Sequence, residues 1–63
     1  MTINPDGSRS IQSVQRALRI LDLFSEQTPE LTLNEISNAL DLNKSTTYGL
    51  VNTLYQNRYL GKN

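Results

Sequence analysis

The chain has 63 residues, 37% hydrophobic and 19% charged, with six basic and six acidic side chains and a formal net charge of zero. At this length it is one domain at most and buries only about 60% of the surface its unfolded form exposes, enough for a small core but not for a cavity around a substrate. Cys and His are absent, which excludes disulfides, thiolate and imidazole chemistry and the usual zinc sites.

The longest uninterrupted apolar run is two residues, so neither a spanning helix nor a signal-peptide core is expected; the default is a soluble, cytoplasmic domain without a cofactor. Residues 1–10, with Asn4, Pro5, Asp6, Gly7 and Ser8 close together, are polar, turn-forming and aperiodic, and read as a flexible arm that carries Arg9. From Ser13 the pattern changes. Val14, Ala17, Leu18, Leu21 and Phe24 fall at i, i+3, i+4, i+7 and i+10, predicting an amphipathic helix over about 13–26 that Ser13 could cap. Arg16 and Arg19 fall on its outer side. Ile20 and Leu23 widen the apolar arc beyond what one small core needs, and two roles stay open for them: packing on neighbouring helices, or a subunit contact.

Gln27–Leu31, containing Thr28 and Pro29, breaks that helix. Thr32 and Glu35 form an S/T-x-x-E capping box directly before Leu33, Ile36, Ala39 and Leu40, so a short helix is expected over 33–40. Asp41, Leu42 and Asn43 make a tight connection in which Asp41 tolerates the left-handed conformation, Leu42 plugs the core and Asn43 caps the next helix. That helix runs over 44–56. Asn57 or Arg58 stops it, and Tyr59 and Leu60 look like the beginning of a strand. No partner strand exists in the sequence, so the chain reads as the front piece of something longer.

The 44–56 helix is the informative element. At about 100° per residue, Thr47, Leu50, Val51 and Leu54 share an apolar side, while Ser45, Gly49, Asn52, Thr53 and Gln56 lie opposite without an acid, Lys or Arg among them. Exposed helix positions that serve stability alone are usually Glu, Lys, Arg, Gln or Ala; Ser, Thr and Asn cost some tenths of a kcal/mol and Gly about 1 kcal/mol relative to Ala. A face that gives up helix propensity for hydrogen-bonding groups points to a partner, and the order of short helix, three-residue turn and longer helix makes that partner DNA. The small residue Ser37 lets the two helices approach closely. Charge is polarised along the chain in the same sense. Residues 1–21 hold Arg9, Arg16 and Arg19 against Asp6, residues 22–41 hold five acids and no base, and residues 42–63 hold Lys44, Arg58 and Lys62 and no acid.

The series RAL-x-IL, LTL-x-EI, L-x-KST, L-x-x-x-L and YL, running over roughly Ile11 to Leu60, resembles the N-terminal domain of the IclR family of bacterial transcriptional regulators. The resemblance implies a mainly α, three-helix winged helix-turn-helix domain over 11–63, its wing hairpin truncated after a start at 58–63. It also implies a homodimer on a palindromic operator and a separate C-terminal domain, absent here, that binds a small-molecule effector. By position, Lys44, Ser45 and Thr46 match the start of the family's recognition helix, where short hydroxyls, a helix N-terminus and a cation suit phosphate oxygens. Thr47, Tyr48, Gly49 and Asn52 follow along it; Tyr48 and Asn52 join Ser45 as the candidates for base edges, and Thr47 lies toward the apolar side. Arg9, Arg16, Arg19 and Arg58 are secondary candidates for phosphate or minor-groove contact. The sequence departs from the family at Gly49, where Arg is usual, and at Asp41 and Arg58, where Gly is usual.

A protein–protein interaction module, using the uncharged face of the third helix, is the rival class; its DNA affinity would not depend on salt. An enzyme is not expected, because Glu26, Glu30 and Glu35 have no convergent partner.

Overall fold

A computed structural model describes residue 3 and residues 10–61. It contains three helices, α1 (Gln12–Leu23), α2 (Leu33–Leu40) and α3 (Lys44–Gln56), each packed on the other two. The mainly α, three-helix class is therefore what forms. The arm with Arg9 lies outside the described residues, apart from Ile3 and Ser10. No helix among the described residues is long and apolar enough to cross a membrane.

α1 begins and ends earlier than its periodicity predicts. Its N-cap is Ile11, which has no side-chain cap bond; Ser13 sits inside the first turn and caps nothing. At the other end Phe24 is already extended, with φ −85° and ψ 142°. Ser25 and Thr28 then exchange backbone hydrogen bonds of 3.0 and 3.1 Å, and the Thr28 N–H also donates to Ser25 Oγ at 3.0 Å. This local turn competes with another helical turn and wins three residues short of the expected end.

The core takes one residue from each helix: Ile20 (0% exposed), Ile36 (2%) and Leu54 (8%). Ala17, Leu21, Leu23 and Phe24 of α1 and its C-cap pack against this centre, along with Leu50 and Val51 of α3. Of the two roles open for Ile20 and Leu23, packing is the one observed. The correction falls on Val14 and Leu18, both 56% exposed although their spacing predicts burial. α1 carries apolar residues around most of its circumference, and two short helices can cover only one arc of it.

α2 and α3 start as their residues dictate. The Thr32 N–H donates to Glu35 Oε1 at 2.8 Å and the Glu35 N–H to Thr32 Oγ1 at 3.1 Å, the reciprocal capping box. Asn43 Oδ1 accepts the Thr46 N–H at 2.7 Å, fixing the start of α3.

Both helices end in the same way. Asp41 takes φ 54°, ψ 47°, and the Leu42 N–H closes on the Ser37 carbonyl at 2.9 Å while Asp41 N–H reaches Asn38 O at 3.3 Å. Arg58 takes φ 68°, with Tyr59 N–H on Leu54 O at 2.9 Å and Arg58 N–H on Tyr55 O at 3.0 Å. These are two Schellman motifs, each with a residue other than glycine in the left-handed position. Asn57, the other residue named as a possible stop of α3, keeps φ −94°. The second motif also corrects the strand expected at Tyr59 and Leu60: residues 57–60 are turn and bend. A strand needs a ladder partner, and no strand forms among the described residues.

Candidate nucleic-acid interface

The turn from Asp41 to Asn43 sets α3 against α2. Ser37 is only 4% exposed and its Oγ is tied to Asn34 O at 3.0 Å, so the small side chain that allows close approach leaves no unsatisfied hydroxyl in the interface. Thr47 does the same from the α3 side. It is fully buried, and its Oγ1 donates to Asn43 O at 2.9 Å, beside its own N–H on the same carbonyl at 3.1 Å. Of the helix residues singled out by sequence, Thr47 is the one the fold withdraws: both its donors are spent inside the α3 N-terminal turn, and no part of its side chain reaches a ligand.

The others stay accessible. Lys44, Ser45, Tyr48 and Gly49 are exposed and Thr46 and Asn52 are partly buried. Tyr48 is 61% exposed. At the α3 N-terminus the Thr46 and Thr47 N–H groups are satisfied, whereas helix geometry gives those of Lys44 and Ser45 no intrahelical acceptor. They are directed out of the helix N-terminus, which suits an anion, and the exposed Lys44 is the first residue of that turn. Lys44 opens the 13-residue helix and Arg58 lies just past its end, so the backbones of these two exposed basic residues lie about 20 Å apart along the helix.

Asn52 is set back from the outermost line. Together with Tyr48 and Tyr55 it faces Phe24, Pro29 and Leu60 across an open groove of about 590 Å³. Tyr55 and Tyr59 are 43% and 67% exposed and line that groove. Arg16 and Arg19 gather with Gln12 and Gln15 around Leu40, the last residue of α2. They therefore lie on the flank of the helix-turn-helix where α3 begins.

Sequence reasoning missed the surface formed by Ile11, Val14 and Leu18, which are 66%, 56% and 56% exposed. The signal was present as an a/d-like spacing of three and four residues, but it is the same spacing that marks a buried face.

Residues 13–63 match the IclR helix-turn-helix domain. The HTH-type transcriptional regulator XynR of Escherichia coli (strain K12) is 51% identical over 53 residues, which make up 84% of this chain and 21% of that protein. The chain thus spans about one fifth of the length of this curated relative. No solved structure matches. Three helices with a capped, tightly turned second pair, and a sequence match over residues 13–63, make the same assignment: the chain belongs to the IclR family and forms its helix-turn-helix DNA-binding domain.

Proposed function

We propose that α3 is inserted in the major groove of a palindromic operator by a dimer of an IclR-type transcriptional regulator in the cytoplasm. The observation that carries this reading is the outward side of α3. Ser45, Gly49, Thr53 and Gln56 are exposed there, Asn52 is partly so, and a cation stands near each end of the helix. Lys44 and Ser45 anchor phosphates through the ammonium, the hydroxyl and their two outward N–H groups, with the half-buried Thr46 beside them. Tyr48 and Asn52 read base edges; an Asn amide pairs bidentately with adenine. Arg16 and Arg19 add phosphate contacts on the flank near the start of α3, and Arg58 adds one at its far end.

The dimer draws on the outer stripe of α1. Ile11, Val14 and Leu18 are followed by Leu21 at a spacing of 3, 4 and 3, which a two-fold axis near residue 16 maps onto itself, pairing Ile11 with Leu21 and Val14 with Leu18 of the second copy. An effector would act through a separate C-terminal domain, consistent with a relative about four times as long. Whether the regulator represses or activates depends on where its operator lies.

The test uses the duplex that the wild-type chain enriches from a randomised DNA pool, read by fluorescence anisotropy across salt. Lys44→Ala should weaken binding to all duplexes alike and make the salt slope shallower by about 0.9. Asn52→Ala should cost about 1–3 kcal/mol on the selected duplex and little on a scrambled one. If neither variant weakens binding, the contact map is wrong. A protein–protein interaction module would show affinity for DNA that is flat with salt.

A further inference from the structure

We infer that Gly49 is the point where the α3 backbone itself seats against the base edges, and that the group it seats against is a thymine methyl. This rests on the DNA-binding reading of α3 and assigns a specificity-determining role within it.

A glycine inside a helix usually answers an internal need, and none is found at Gly49. It is the sixth residue of the 13-residue α3, far from either cap. Its backbone is not in the left-handed region, and an added Cβ would meet nothing within 4 Å. Neither conformation nor packing requires it. The residue weakens the helix, and the space it clears lies entirely outside the molecule, on the side opposite the buried Thr47 and Leu54.

The neighbourhood defines what would enter that space. The Gly49 carbonyl already accepts Thr53 Oγ1 at 2.8 Å, which folds the Thr53 hydroxyl back against the helix and leaves no polar group of Gly49 to read a base. What remains is a bare Cα, a small apolar surface. In the major groove the small apolar group is the C5 methyl of thymine. Ser45 one turn before and Asn52 one turn after supply the polar contacts on either side of it.

The experiment takes the duplex that the wild-type chain enriches from a randomised pool and replaces its thymines by uracil one at a time, removing only the methyl. Wild type should lose several-fold in affinity at one position in each half-site. Gly49→Ala should melt about 4–8 °C higher, yet bind the thymine duplex about tenfold more weakly, with uracil at that same position restoring part of the loss. Gly49→Arg should bind a scrambled duplex more tightly at low salt and the selected duplex less tightly. The inference is overturned if Gly49→Ala binds the selected duplex as well as wild type, if Gly49→Arg tightens specific binding, or if the alanine penalty is the same on every uracil-substituted duplex. A wild-type chain that enriches no duplex at all would remove the DNA-contact reading, and this inference with it.

Discussion

Arg58→Gly should stabilise the domain. Arg58 holds φ 68° because the Schellman turn after α3 requires it, with Tyr59 N–H on Leu54 O at 2.9 Å and Arg58 N–H on Tyr55 O at 3.0 Å. Left-handed geometry costs a residue with a Cβ roughly 1–2 kcal/mol. Glycine escapes that strain but loses about 0.4–1 kcal/mol more entropy on folding, so the net gain is about 0.5–1 kcal/mol. Against a total stability of about 3–9 kcal/mol for a chain of this length, that is a rise in Tm of about 2–8 °C. Thermal denaturation followed by circular dichroism at the helix band measures it, with Arg58→Ala as the control that keeps the strain. Asp41→Gly, at φ 54°, should gain less, because a short polar side chain tolerates this region better than Arg does. Arg58→Gly also deletes the cation past the end of α3, so the salt slope of DNA binding should become shallower by about 0.9 while stability rises. Equal melting temperatures for Arg58→Gly and Arg58→Ala would refute the strain argument.

Asn43→Ala removes the acceptor of the Thr46 N–H and should lower stability by about 0.5–2 kcal/mol in urea denaturation, with the loss of helical signal unaccompanied by a change in m-value. The double variant Val14→Ser, Leu18→Ser should leave the melting temperature of the isolated domain within about 2 °C, since both side chains are 56% exposed. It should nevertheless abolish cooperative binding to a two-half-site duplex while sparing a single half-site; undiminished cooperativity would move the dimer contact elsewhere.

What could be read from the sequence was what is decided locally. The bounds of α2 and α3 follow from caps that act within four residues: Thr32 with Glu35, and Asn43 with Thr46. Asp41 was legible as a left-handed residue for the same reason. The orientation of α1 was not, because its periodicity is satisfied by more than one arc and only the presence of α2 and α3 makes Ile20 the buried one. Tyr59 and Leu60 misled in the opposite direction: their strand propensity is local, but a strand is a pairing, and the turn closed by Tyr59 on Leu54 is the bond actually available. At the candidate interface, the accessible positions followed from angular placement, whereas the withdrawal of Thr47 depended on a hydrogen bond to Asn43 O that competes with any outward use of the hydroxyl.

The small number of cations bears on how such a domain can be selective. Four basic residues are described, Arg16, Arg19, Lys44 and Arg58, and they lie on the α1 flank and near the two ends of α3. If all four touched phosphate, the salt slope of one protomer would be about −3.6, so a fourfold rise in salt would weaken it by about 150-fold; Lys44 alone would give about fourfold. Non-specific affinity is limited accordingly, and the acids of residues 22–41 limit it further. Under the DNA-binding reading proposed above, a domain with so few described cations would depend on what its uncharged face does in the groove and on doubling that face by symmetry. In the pairing proposed above, the outer stripe of α1 would by itself be too small for a stable free dimer, three exposed side chains contributing on the order of 300 Å² per protomer against the roughly 800 Å² per partner of a standard interface. Under the dimer proposed above, pairing of two copies of this domain would be strongest where two half-sites hold them side by side, coupling the α1 contact to recognition.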